Sequence, residues 1–214
     1  MRIVKDGWKF VLPLLVLGAI FFSFSKIASL FLLVLASFTL FFFRDPEREI
    51  SEGEGLILSP ADGKVIDISE VSEEKFLHAR VRVVRIFMSL LNVHVQRSPV
   101  EGKVELISYE PGKFMVAYRK RASKENESNL VGIQMSNKPD SNGKKILVKQ
   151  IAGNFARRIC CWCRVGEDLV PGQRIGMIRF GSRVDVYLPQ GTEINVGKGD
   201  RVVGGRTILG KLSH

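Results

Sequence analysis

The chain has 214 residues, 45% of them hydrophobic and 25% charged, and its net charge is +10. An apolar segment occupies residues 10–43, so the remainder suits one compact domain and not two. Residues 51–214 hold 26 Lys/Arg against 18 Asp/Glu; this basic part favours an anionic lipid surface over nucleic acid, because nine of the 14 Phe lie in the first 50 residues and few aromatics remain for base stacking.

Residues 10–43 carry one charge, Lys26, at their middle. A single helix of that length would overshoot a bilayer core, which needs about 20 residues. Two shorter helices meeting near Ser23–Lys26 fit better, as a spanning or a re-entrant hairpin. Arg2, Lys5 and Lys9 flank one end, and Arg44 and Arg48 the other. The excess of positive charge places both ends, and the domain that follows, on the cytoplasmic side of the cell membrane. The segment is too long for a secretory signal and has no clear cleavage site. Residues 1–50 are therefore read as a membrane-anchoring helical hairpin with its juxtamembrane segment, and 51–214 as the folded domain.

From Leu56 onward, short runs rich in β-branched residues alternate with Gly, Pro, Asn and Asp. They include Val65–Ile68, Ala79–Met88, Lys103–Ser108, Leu130–Met135, Ile146–Ile151 and Val184–Leu188. The pattern predicts a mostly β fold, a β-sandwich or partly open barrel. Val165–Gly176 and Val196–Gly210 echo each other as turn-and-strand units, similar to the hammerhead-like turns of biotinyl and lipoyl carrier domains. A carrier needs a Lys at a hairpin tip between its halves; Arg179–Asp185 supplies none. Cys160, Cys161 and Cys163 form one cluster with no second pair, so no metal site is expected. They read as small apolar residues of a buried strand, and as free thiols they suit a reducing compartment.

The chemistry-bearing residues are scattered. Gly181-Ser182 precedes a strand, but Gly-Ser is a common turn pair, and no G-x-S-x-G elbow surrounds it. Ser59-Pro60-Ala61-Asp62-Gly63 is a tight polar turn. His94 stands in the apolar run Phe87–Pro99, where a histidine is more often structural. Together, Ser, His and Asp are the parts that activate a hydroxyl.

Phe43–Arg48, Ser59–Gly63, Phe87–Pro99 and Phe180–Pro189, in that order, resemble phosphatidylserine decarboxylases, and most of all their short, membrane-anchored bacterial and archaeal group. The resemblance covers nearly the whole chain. It implies self-cleavage between Gly181 and Ser182, giving a β chain 1–181 and an α chain 182–214 that stay together as a heterodimer. It implies that Ser182 becomes a covalent pyruvoyl group, which forms a Schiff base with the amine of phosphatidylserine and needs no metal. Asp62 and His94 match motif positions tied to self-cleavage and catalysis. The expected product is phosphatidylethanolamine, with archaetidylserine as the alternative substrate. Ala122–Asn129 resembles a family loop near the head group and offers Lys124, Asn126 and Glu127 as substrate-binding residues. Two positions depart from the pattern: Arg97 stands where some relatives carry a second histidine, and Ser128 where Arg is usual. The residues alone also allow an anchored Ser-His-Asp hydrolase or a non-enzymatic adaptor, and both of these require an uncut chain.

Overall fold

The computed structural model describes residues 2–118, 121–136, 143–153, 158–179 and 182–212. The chain divides into two compact units, Met1–Glu47 and Arg48–His214. The first holds β1 (Arg2–Ile3), α1 (Lys5–Phe22), α2 (Lys26–Phe42) and β2 (Arg44–Asp45). β1 and β2 pair antiparallel and bring the unit's two ends together. Ser25 caps α2 by accepting from the Ala28 amide. The buried Ser29 hydroxyl donates to the Gly18 carbonyl at 2.8 Å, so the helices meet through a satisfied polar contact. Among the described residues no helix is long and apolar enough to cross a membrane. α2 has 17 residues, and α1 begins with Lys5, Asp6 and Lys9, whereas a span takes about 20 apolar residues.

The second unit is mostly β, as its alternating pattern predicts. Its elements are β3 (Leu56–Leu58), β4 (Gly63–Glu73), β5 (Ala79–Met88), β6 (Val95–Arg97), β7 (Gly102–Glu110), α3 (Ala122–Glu125), β8 (Ser128–Met135), β9 (Lys145–Ala152), β10 (Ile159–Cys161), β11 (Asp168–Leu169), β12 (Arg174–Ile178), β13 (Ser182–Leu188), β14 (Thr192–Ile194), β15 (Arg201–Val202) and β16 (Ile208–Leu212). Eight strands form one curled sheet in the order β11-β7-β8-β9-β13-β5-β4-β15, and two three-stranded sheets, β10-β12-β6 and β14-β16-β3, accompany it.

The echo seen in the sequence has a structural counterpart. β11 and β15 are the two edges of the large sheet, and each pairs with a Gly-Lys strand start: Leu169 with Gly102, and Val202 with Gly63. Those starts belong to a second duplication, Ser59-Pro60-x-x-Gly63-Lys64-Val65 and Ser98-Pro99-x-x-Gly102-Lys103-Val104. In both copies the Ser hydroxyl donates to the carbonyl two residues on, at 2.7 Å. Both copies also bulge just after the Val, between Val65 and Asp67 and between Val104 and Leu106. Two similar halves thus flank the β9–β13 pair, and the added twist of each bulge curls the sheet.

Strand alternation then separates two environments. Val184, Val186 and Leu188 of β13 point into the main apolar core with Ile86, Val84, Val148 and Ile146. Arg183, Asp185 and Tyr187 point to the opposite face, beside Arg85, Lys149 and Leu147.

Candidate active site

Ser182 is the first residue of β13. It pairs with Met88, the last residue of β5, and with Ala152, the last of β9. Its parity is that of Val184, so its side chain is on the core face, and the residue is fully buried. Its hydroxyl donates to the Met88 thioether at 3.4 Å. A thioether is a weak acceptor, so it holds the hydroxyl in place while opposing the loss of its proton little.

The chain reaches Ser182 from another sheet. β12 pairs with β6, Met177 opposite Val95, and the Ile178 amide donates to the His94 carbonyl at 3.3 Å. The chain thus leaves the small sheet at the end of β12 and is in the large one by Ser182. Gly181 lies outside the described residues. His94, just before β6, is fully buried, and its Nδ1 lies 2.9 Å from the Asn92 carbonyl oxygen. A carbonyl only accepts, so Nδ1 carries the proton and Nε2 carries the lone pair of the neutral ring. The backbone two residues away thus holds the Nδ1 side of the ring. The Asp62 carboxylate takes 2.8 Å bonds from the Arg48 guanidinium and the Gly204 amide, which fasten the Ser59–Gly63 turn beside β6; the Arg97 amide bonds Pro60 there.

A buried row of amides joins His94 to Ser182. The Gln96 side-chain NH₂ donates to the His94 carbonyl at 2.7 Å and lies 3.7 Å from the Met88 sulfur. Gln150 donates to Gln96, and Asn129 to Gln150, each at 2.9 Å. Gln96 and Gln150 are fully buried; paired amides avoid the penalty of orphaned polar groups in a core. Gly176 on β12 makes room for the row, since a Cβ there would crowd the Cys160 carbonyl and lie 2.7 Å from Gln150 Nε2. The sequence reading missed Met88, Gln96, Gln150 and Asn129. Their only signal was an amide or thioether at core-facing positions of apolar strands.

The expected substrate loop is brought to the same sheet edge in part. The Ala152 amide donates to the Glu127 carbonyl at 2.9 Å, and Asn126 Nδ2 donates to the Ala152 carbonyl at 2.8 Å. The Asn126 amide also clasps both backbone groups of Met115, so this side chain shapes the loop. The Tyr109 hydroxyl is raised by desolvation and then by the Glu127 carboxylate to which it hydrogen-bonds. Lys124 goes elsewhere. It lines a cavity of about 350 Å³ with Arg85, Glu110, Lys149 and Tyr187, on the sheet face away from the Ser182 side chain. Arg97 is buried, and its guanidinium donates to the Gly172 carbonyl at 3.1 Å. Among the described residues no cluster of three or more His, Cys, Asp or Glu is placed to hold a metal ion.

One step along from Ser182, Arg183 is also fully buried. It donates to the Ala117 carbonyl at 3.0 Å and to the Ser123 hydroxyl, and its Nε lies 2.8 Å from Asp185 Oδ1. Asp185 also meets Arg85, 3.5 Å away, and Ser123. Burial pushes the Asp185 carboxyl upward, and Arg183 and Arg85 oppose this. This group ties the segment around α3 to the start of β13. Asp185→Asn leaves the buried Arg183 guanidinium short of its counter-charge, whereas Arg85 keeps Asp67. The substitution is expected to lower unfolding stability by about 3–5 kcal/mol, read by urea unfolding followed through tryptophan fluorescence.

A family model described as phosphatidylserine decarboxylase matches residues 35–210. The chain is 43% identical over 210 residues to a phosphatidylserine decarboxylase proenzyme of Symbiobacterium thermophilum, covering 98% of this chain and 95% of that one. It is 44% identical to the proenzyme so named from Syntrophus aciditrophicus, covering 97% and 96%, and 40% identical to that of Wolbachia pipientis, covering 99% and 92%. The chain belongs to the phosphatidylserine decarboxylase family.

Proposed function

We propose that this enzyme cuts itself between Gly181 and Ser182 and then decarboxylates phosphatidylserine to phosphatidylethanolamine. The observation that carries the proposal is the buried Ser182 hydroxyl at the junction of two sheets, next to the row that holds His94, in a chain whose relatives are named as proenzymes of this activity. A serine hydroxyl is a poor nucleophile until a base takes its proton. His94 Nε2 has the lone pair for that. The Ser182 oxygen then attacks the Gly181 carbonyl carbon, the amide C–N bond breaks, and an ester replaces it. Loss of the Ser182 α-proton expels the ester as the carboxylate of Gly181 and leaves a dehydroalanine. Water then releases its nitrogen as ammonia, leaving a pyruvoyl cap on the chain 182–214.

The site fits such a chain end. The pairs of β13 with β5 from Arg183 to Leu188 and with β9 from Arg183 to Tyr187 involve none of the atoms that the cut changes. β15 and β16 likewise remain paired with β4 and β3. The two product chains thus stay together as a heterodimer, and the new end remains anchored in the core. The pyruvoyl group supplies an electron sink for the pair left when carbon dioxide departs. The residues around it do the rest. Met88 and Ala152 exclude water, and the Glu127 and Asn126 backbone frames the entry. His94 holds the proton that the α-carbon takes up.

Residues 1–47 act as the anchoring hairpin at the cytoplasmic face of the cell membrane. Phe24 and Ile27 are 81% and 84% exposed, and Phe31 and Val34 are exposed as well, which supports shallow insertion beside an anionic lipid surface. A two-chain lipid does not readily leave its bilayer, since each buried CH₂ contributes about 0.8 kcal/mol; the anchor brings the site to it. The duplicated turns are read as hammerhead-like elements of the scaffold.

The test is intact mass of the purified protein together with carbon dioxide release from vesicles of phosphatidylserine or of its ether analogue, archaetidylserine. Two fragments that join at 181/182 are expected, the smaller refusing Edman degradation because its first residue has no amine. Release should be measurable with the diacyl lipid. An active, unbroken chain would overturn the reading, and activity with the ether lipid alone would reassign the substrate.

A further inference from the structure

Three free thiols sit at the end of β10, and the proposed reaction uses none of them. Cys160 and Cys161 are neighbours in a strand and point to opposite faces. Cys161 and Cys163 instead converge, with their sulfurs 3.6 Å apart. Cys161 is half-buried, and its partner across the ladder is Gly176, which has no side chain to cover it. Cys163 is buried. The hydrogen bond from Cys163 lowers the Cys161 thiol to about 7; desolvation and the Glu167 carboxylate oppose this, and the Asn129 amide assists it. The same thiol–thiol bond, with burial, pushes Cys163 well up. One sulfur, on a half-buried residue, is thus the readier thiolate near neutral pH, and the other is a buried thiol in contact with it. This is the arrangement of an attacking and a resolving cysteine.

We propose that Cys161 and Cys163 are a redox-active dithiol that closes to an intrachain disulfide on meeting a small-molecule disulfide such as oxidised glutathione. The Cys161 thiolate attacks one sulfur of the reagent, forming a mixed disulfide and expelling one thiolate. Cys163 then gives up its proton and attacks the Cys161 sulfur, expelling the second. Two protein thiols are oxidised, and one disulfide is reduced to two thiols. Cys160 takes no part. Because Asn129 also donates to Gln150, the dithiol lies at the far end of the amide row that begins at Met88 and His94.

The full-length protein, reduced and then incubated with oxidised glutathione at pH 7.5, is quenched in acid, alkylated and digested. The segment Ile159–Arg164 is then sequenced by fragment mass. The expected result is loss of two hydrogens between Cys161 and Cys163, alkylation of Cys160 alone, and reopening by dithiothreitol. Cys160→Ser should close as wild type does, while Cys163→Ser should stop at a glutathione adduct on Cys161. Three alkylated thiols after incubation, or a bridge that includes Cys160, would overturn the proposal. The wild-type measurement decides even if a variant fails to fold, and it does not depend on the decarboxylation reading.

Discussion

Ser182→Ala is expected to give a single uncut polypeptide, stable for days, with decarboxylation lower by about 10⁶-fold or more. The size of the loss follows from what one atom does. Without the oxygen no ester forms at Gly181, no new chain end appears, and the electron sink is never made; such sinks supply much of the 10⁶-fold or larger acceleration typical of enzymes. The fold should scarcely notice. Alanine fits the space between Met88 and Ala152, and the lost bond to a thioether costs about 1 kcal/mol or less. Intact mass and a urea midpoint taken on the same sample separate the two effects. A Ser182→Ala protein cut at the normal rate would show that another group opens the chain.

Ser182 and His94 were legible as candidates because both lie within contiguous motifs, and the β content because alternation survives in Val184–Leu188 and Ala79–Met88. What sets their geometry was not legible. The Nδ1 partner of His94 is a backbone carbonyl two residues away, and a sequence does not reveal which carbonyl a loop turns inward. The amide row draws Asn129, Gln150 and Gln96 from three strands, whose adjacency exists only once β6, β8 and β9 are placed. Lys124 shared a stretch with Asn126 and Glu127, yet the turn out of α3 sends it to the other face of the sheet. Among the described residues α1 ends at Phe22 and α2 begins at Lys26, and neither is long and apolar enough to cross a membrane. The second duplication, at Ser59 and Ser98, was in plain sight but concerns turn residues, which hydrophobic periodicity does not weigh.

This architecture also suits the proposed cut between Gly181 and Ser182. Within a strand, both sides of a peptide bond share one sheet and one set of partners. Between the end of β12 and the start of β13 they do not: β12 belongs to the sheet of β6, and β13 to the sheet of β5 and β9. A cut just before β13 leaves its pairs from Arg183 onward in place, whereas a cut inside β13 would sacrifice pairs on two flanks. In the proposed scheme the nucleophile stands on the strand that remains and the base on the loop before β6, so self-cleavage needs no unfolding of the domain.

His94→Gln separates the steps in which the imidazole acts. Gln can still donate to the Asn92 carbonyl and can occupy the buried site, but it has no basic nitrogen. Self-cleavage of freshly made precursor is expected to slow by about 10²–10⁴-fold, the range for losing a positioned base, as followed by the mass of samples withdrawn over time. Hydroxylamine cleaves esters and spares amides, so it reports whether the chain has reached the ester. If His94 takes the Ser182 proton, the ester never builds up, and hydroxylamine releases no fragment from the variant, just as with Ser182→Ala. A fragment released by hydroxylamine from His94→Gln alone would mean that the acyl shift proceeds without the imidazole, and it would move His94 to the elimination that follows.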